Sequence, residues 1–207
     1  MKVKELQEIL ARIEPDAEFD ATIGYDTSKT DRLLKNIPAG KTFKIGGEEW
    51  IVLEQRDNTT AILKKDLLRD TIKFDDTSNN FVNSAIYRFL NVNYYNALCE
   101  DVRKSNICEH TVDLTSDDGL NDYGKCKAYV SLLTCEQYRK YTNILLRYNP
   151  NQWWWLATAL STPTRAYSNI VRCVYKYGTL NHNFCNCSCG VRPFVVLNNS
   201  LNVGQKY

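Results

Sequence analysis

His182, Cys185, Cys187 and Cys189 gather, within eight residues near the C-terminus, the side-chain types that bind zinc. Cysteines at alternate positions with one histidine lack the paired Cys-x2-Cys spacing of fingers and ribbons, so no metal is expected. The same residues invite nucleophilic chemistry, for which a thiolate needs a lowered pKa and a nearby base. Cys185 with His182 is the pair that spacing offers. His110 and His182 are the only histidines, and neither has an orienting partner nearby in sequence. The chain is therefore expected not to be an enzyme and to need no cofactor. Asp117-Asp118-Gly119-Leu120-Asn121-Asp122 carries oxygens suited to a hard cation but lacks the spaced ligands and terminal Glu of an EF-hand, and reads as a solvated loop.

The cysteines lie inside a stretch that runs from Trp153 to Leu197. It opens on Trp153-Trp154-Trp155 and closes on Val191-Arg192-Pro193-Phe194-Val195-Val196-Leu197, both β-forming and in need of cover. Its interior, Leu180 to Cys189, has neither a helical stripe nor clean alternation, and its asparagines favour turns. The pattern reads as a display surface on a rigid frame. Trp153 to Trp155, Val171, Val191, Pro193 and Phe194 are expected in the core, with Asn83, Arg88, Arg172 and Arg192 structural.

Upstream, Val3, Leu6, Ile9, Leu10 and Ile13 keep helical spacing until Pro15-Asp16, and Phe19, Ala21 and Ile23 alternate as one strand. This unit over residues 1–30 is too small to bury itself and reads as an attachment or oligomerisation element. The main domain, 31–207, begins with a meander: Phe43 and Ile45, a Gly46-Gly47 turn, Trp50 to Leu53, an Asp57-Asn58 turn, then Ala61 to Leu63. Ile86, Phe89, Leu90, Tyr94, Leu98 and Val102 predict a main helix with Asn83 or Ser84 as N-cap. After a polar loop over Thr115 to Lys125, Tyr129 to Leu133 predicts a strand. Thr134 with Gln137 makes a capping box for a second helix through about Tyr141. Strands and two helices are segregated, so the expected class is α+β with mixed or antiparallel sheets.

A hydrophobic share of 43% over 207 residues supplies a core. No apolar run is long enough to span a bilayer, and the N-terminus lacks a signal peptide's apolar region, so the chain is expected to fold in a bacterial cytoplasm, without membrane insertion and with its eight cysteines as thiols. Every acid lies at or before Glu136, and the 71 residues after it carry eight bases. These bases are scattered and two sit beside apolar strand residues, which favours structural hydrogen-bonding roles over a nucleic-acid partner.

Five ordered motifs add a resemblance. Ile37-Pro38-Ala39-Gly40-Lys41-Thr42-Phe43, Gly46-Gly47-Glu48-Glu49-Trp50, Asn83 to Asn91, Trp154-Trp155-Leu156-Ala157-Thr158 and Gly190-Val191-Arg192-Pro193 together resemble a C-type-lectin-like domain of gut bacteria and their phages. Some members are the variable proteins of diversity-generating retroelements. The resemblance implies a constant frame and a C-terminal segment, about 157–190 here, rewritten by mutating the adenines of a template. Mutated AAC codons still end in C, so they never encode Lys, Glu, Gln, Met or Trp. From Leu156 to Cys189 only Lys176 belongs to that forbidden set. On this reading Ser161, Thr162, Thr164, Tyr167, Cys173, Tyr175, Tyr177, His182, Phe184, Cys185, Cys187 and Cys189 are variable ligand-binding positions, with Arg165 and Ile170 at the margin. The implied partner is a protein or glycan on a cell surface, with residues 1–30 open to homo-oligomer or virion attachment. Alternatives are a constitutive glycan- or protein-binding domain, a virion structural protein, or a formylglycine-generating-like oxidase of the same fold. Tyr167, Tyr175 and Tyr177 as ordinary inward-packing strand residues is the bland alternative for the face. Calcium-dependent sugar binding would need carboxylates that the C-terminal part lacks.

Overall fold

The computed structural model describes residues 33–203. The expected helix at 3–13, the strand at 19–23 and the attachment role of residues 1–30 lie outside the described residues. The architecture is α+β, with antiparallel strand pairing and few helices.

The meander forms as expected, with β1 (Thr42–Ile45), β2 (Glu48–Gln55) and β3 (Thr59–Lys64) paired antiparallel in that order. Gly46 turns the chain at φ +57°, and a Cβ there would stand 2.2 Å from a carboxylate oxygen of Asp101, so the position needs glycine twice over. After β4 (Ile72–Lys73), Ser84 caps the main helix by accepting the Tyr87 N–H at 3.2 Å. The helix has three parts: α1 (Ala85–Arg88), a π-helical turn (Phe89–Tyr94) and α2 (Tyr95–Val102). The π turn makes the step from Leu90 to its next buried neighbour five positions long. The stripe therefore runs Ile86, Leu90, Tyr95, Leu98, Val102, and Tyr95 takes the place expected for Tyr94.

β5 (Ile107–Cys108), β6 (His110–Asp113), β7 (Lys125–Ala128) and β8 (Val130–Ser131) follow; β6 and β7 form a hairpin around the expected polar loop, and the strand expected over Tyr129 to Leu133 shrinks to β8. Thr134 then closes its capping box, donating its N–H to Gln137 Oε1 at 2.9 Å and accepting the Gln137 N–H at 3.2 Å. That starts α3 (Cys135–Lys140), which is followed by α4 (Thr142–Leu145). The C-terminal part supplies β9 (Trp154–Ala159), β10 (Ile170–Val174), β11 (Leu180–Phe184), β12 (Ser188–Cys189) and β13 (Phe194–Asn198). The irregular interior expected over residues 180–189 is thus corrected. Backbone pairing with β10 makes a strand of Leu180–Phe184, although its side chains do not alternate cleanly.

One six-stranded sheet runs β1-β2-β3-β13-β5, with β8 also on β13; a second runs β11-β10-β9; β12 pairs with β4. The sheets are sewn together through the tryptophan strand, where Trp155 N–H donates to Gly190 O and Ala157 N–H to Leu133 O. Alternation along the buried strands builds two cores. Trp50, Val52, Ile62, Trp155, Val195 and Leu197 join the main helix in one, and Ile51, Leu63, Trp154, Phe194 and Val196 join α3 and α4 in the other. Consecutive tryptophans thus anchor opposite layers, each burial contributing about 2–3 kcal/mol. Val171, Val191 and Phe194 are buried as expected, while Trp153 is corrected to half-buried, at the strand's edge.

Candidate functional site

The segment from Ser161 to Cys189 is held at three places by groups from elsewhere in the fold. Asn79, fully buried, lies with its Nδ2 within 2.8–3.0 Å of the carbonyls of Ser161, Tyr167 and Ile170, and its Oδ1 accepts the Tyr123 hydroxyl at 2.6 Å. At the turn between β10 and β11, Tyr138 donates its hydroxyl to Gly178 O at 2.5 Å and Asn149 Nδ2 donates to Lys176 O at 2.7 Å. At the far end of β11, the Phe74 and Asp75 N–H groups both reach Cys185 O, at 2.9 and 3.1 Å. All three clamps grip backbone oxygens. Those bonds form whatever side chain the residue carries.

A fourth contact differs. The loop expected to be solvated puts Asp118 Oδ2 2.7 Å from Ser161 Oγ, and Asp122 Oδ2 2.5 and 2.6 Å from the Thr162 and Thr164 hydroxyls. Asp118 and Asp122 are held below the usual carboxylate range, Asp118 by the Ser116 and then the Ser161 hydroxyl, Asp122 by Thr162 and Thr164. Asp117 takes Arg139 at 2.8 Å and Arg172 at 3.4 Å, and Arg165 stands 3.5 Å from Asp118. Three arginines of the acid-free C-terminal part thus meet counter-charges inside the molecule. Arg192 needs none: fully buried, it donates to Lys64 O and Lys65 O at 3.1 and 2.8 Å and lies over the Trp154 ring, and burial pushes its guanidinium down to about 10.

The twelve expected positions divide. Tyr177 is 70% exposed, Phe184 53% and Tyr167 51%; Thr164 and His182 are also exposed, and Tyr175 and Cys187 are half-buried. Cys173, Cys185 and Cys189 are 0–3% exposed, and Ser161 and Thr162 are buried on Asp118 and Asp122. The expected outward placement of these five is corrected. The register explains the cysteines: Tyr175 N–H to Thr179 O and Cys185 N–H to Asn169 O bracket the β10–β11 hairpin, and side chains alternate between them. Val171, Cys173 and Cys185 enter the core that contains Trp155, whereas His182 and Phe184 face the other way. Cys185 and His182 therefore lie on opposite faces and make no nucleophile and base pair. All eight cysteines are free thiols; burial pushes Cys173 up to about 12 and Cys189 to about 11 and also raises Cys185, so these thiols stay protonated at neutral pH.

His110, unpaired in the sequence reading, has a partner: its Nε2 lies 2.8 Å from Ser131 Oγ, and its ring meets Phe194 edge-on. Ser131 is buried in the sheet against β13, and burial brings the imidazole down to about 4, so the pair joins strands. Among the described residues no cluster of three or more His, Cys, Asp or Glu is arranged to hold a metal ion, and no helix is long and apolar enough to cross a membrane.

Asn79, Tyr138, Asn149, Asp118 and Asp122 were not singled out from sequence as supports. Asn79 sits in a polar run that reads as a turn, and the separation of acids from bases was the one signal that pointed to the aspartates. No family model, curated protein or solved structure matches the chain.

Proposed function

We propose that this chain is a binding protein of C-type-lectin-like fold whose C-terminal face, carried by Tyr167, Tyr175, Tyr177, His182 and Phe184, takes a macromolecular ligand on a cell surface. Its side chains are interchangeable in the manner of a retroelement-diversified variable protein. The reading is of a binder without catalysis, cofactor or nucleic-acid partner. One observation carries it: the clamps of Asn79, Tyr138, Asn149 and the Phe74–Asp75 backbone hold carbonyl oxygens, while Tyr167, Tyr177, His182 and Phe184 project into solvent. A frame that grips backbone tolerates replacement of the side chains it displays. Tyr, Phe and His supply rigid contact area at low entropic cost, as in antibody paratopes. The buried cysteines and the Ser161–Thr162 pair belong to the support of this face.

The test replaces Tyr167, Tyr177, His182 and Phe184 together by serine. Cooperative unfolding within a few degrees of the parent is expected, and a collapsed or non-cooperative melt would sink the reading. The retroelement part is tested in the gene's neighbourhood, where an imperfect repeat of the codons for about 155–190, differing at adenines, should lie beside a reverse transcriptase. Its absence would leave a constitutive binding domain.

A further inference from the structure

The turn joining β10 to β11 carries a preformed aromatic corner. Trp153 and Tyr175 meet edge to face with centroids 4.7 Å apart, and Tyr175 and Tyr177 do the same at 5.4 Å. Leu146, 52% exposed, continues the apolar surface, since its Cδ2 lies 2.6 Å from where a Cβ on Gly178 would stand. The corner is stiff: the bonds to Gly178 O and Lys176 O fix the turn from two sides, and Gly178 holds φ +84°. Rings fixed in this way lose little freedom on binding, which favours affinity.

The charge of the corner is also uncommitted. Of the seven bases in residues 137–203, Arg139 and Arg172 face Asp117, Arg165 faces Asp118, Lys140 faces Glu54, and Arg192 is buried on carbonyls. Arg147 and Lys176 remain, with no acid partner among the described residues, and both lie on tyrosine rings. Lys176 Nζ stands 4.9 Å from the Tyr177 centroid and 5.8 Å from that of Tyr175. A cation over aromatic faces, with no acid partner of its own, is matched by a carboxylate next to an apolar group.

We infer that Trp153, Tyr175, Lys176, Tyr177 and Leu146 form a docking corner for an acidic protein segment that presents a carboxylate beside an apolar side chain. The inference rests on the reading of this face as a binding surface and specifies the chemistry of its partner. A glycan is the less suited occupant. The rings of Tyr175 and Tyr177 cross at 83° rather than offering one flat platform. No carboxylate exists in residues 137–203 to accept a pair of sugar hydroxyls, and the side chain of Asn149 is already used by Lys176 O and Trp154 Nε1.

The probes are short synthetic peptides alternating Glu with Leu or Phe, compared with Gln-for-Glu and Lys-for-Glu versions and with sialylated and neutral oligosaccharides. Binding to the full chain is followed by fluorescence anisotropy for peptides and by tryptophan emission for sugars. The Glu peptide is expected to bind more tightly than the Gln version and to weaken as salt rises, with no binding by the Lys version. Lys176→Gln should weaken it about fivefold and Tyr177→Ala about thirtyfold. Both variants should melt with the parent, which separates a lost contact from a lost fold. Equal affinity for Glu and Gln peptides, an unaffected Lys176→Gln, no peptide binding, or capture of the oligosaccharides in its place would each overturn the inference. The quadruple serine variant could still melt normally, leaving the interchangeable face standing without this partner.

Discussion

The loop from Ser161 to Thr164 and the β10–β11 hairpin lie in one segment, yet the fold treats them oppositely. Asp118 and Asp122 read the loop through its hydroxyls, so serine and threonine are required there. Tyr138 and Asn149 hold the hairpin turn through carbonyls, leaving Tyr177, His182 and Phe184 free to be anything the strand accepts. Whether a position can be exchanged depends on which atom its support touches.

The largest expected effect is on the clamp that serves both regions. Asn79→Ala removes a buried amide facing three carbonyls and strands the Tyr123 hydroxyl. It should cost about 4 kcal/mol in urea unfolding; a loss near zero would remove the basis for the contrast. Acid should weaken the frame beneath both regions. His110 binds its proton near 6.5 when unfolded and near 4 when folded, so falling pH favours the unfolded chain. Stability present above 6.5 should be lost progressively towards pH 4, by about 3 kcal/mol in all, and His110→Gln should flatten that slope. Glu54 follows at lower pH: burial works against its ionisation, but bonds from Lys140, Arg56 and Tyr141 outweigh burial and bring it down to about 2, so its share is lost below 4.5.

The contrast itself is sharpened by Thr162→Val, which keeps shape and removes the hydroxyl; a fall in Tm of about 3 °C is expected. Ala166 ends the same loop in a left-handed conformation, φ +67°, and Ala166→Gly should stabilise by about 1 kcal/mol in calorimetry. The smallest effect belongs to the hairpin. Tyr177→Ser, His182→Ser and Phe184→Ser should each stay within about 0.5 kcal/mol of the parent by chemical denaturation. A loss as large as that at Asn79 would erase the distinction between the two regions.

The meander, the Thr134 capping box and the tryptophan strand were legible because each is written in local spacing: alternation, turn glycines, and a polar cap three residues ahead of its partner. The Tyr94-to-Tyr95 shift was not, since a π turn leaves the same apolar letters in place and changes only the count between them. The resemblance put Cys173 and Cys185 among the outward variable positions, yet residues of opposite parity in a hairpin face opposite sides. Once Trp155 fixed which side was core, Cys173 and Cys185 had to follow.

By itself the sequence determined an α+β chain with a stiff aromatic frame and a C-terminal segment free of acids, because propensity, periodicity and charge are properties of neighbours along the chain. Only the tertiary structure decided which of that segment's side chains face outward and which the frame grips. Those choices depend on Asn79, Asp118, Asp122, Tyr138 and Asn149, residues that reach it from about 27 to 90 positions away and bond to atoms, many of them backbone oxygens, that leave no mark in the letters.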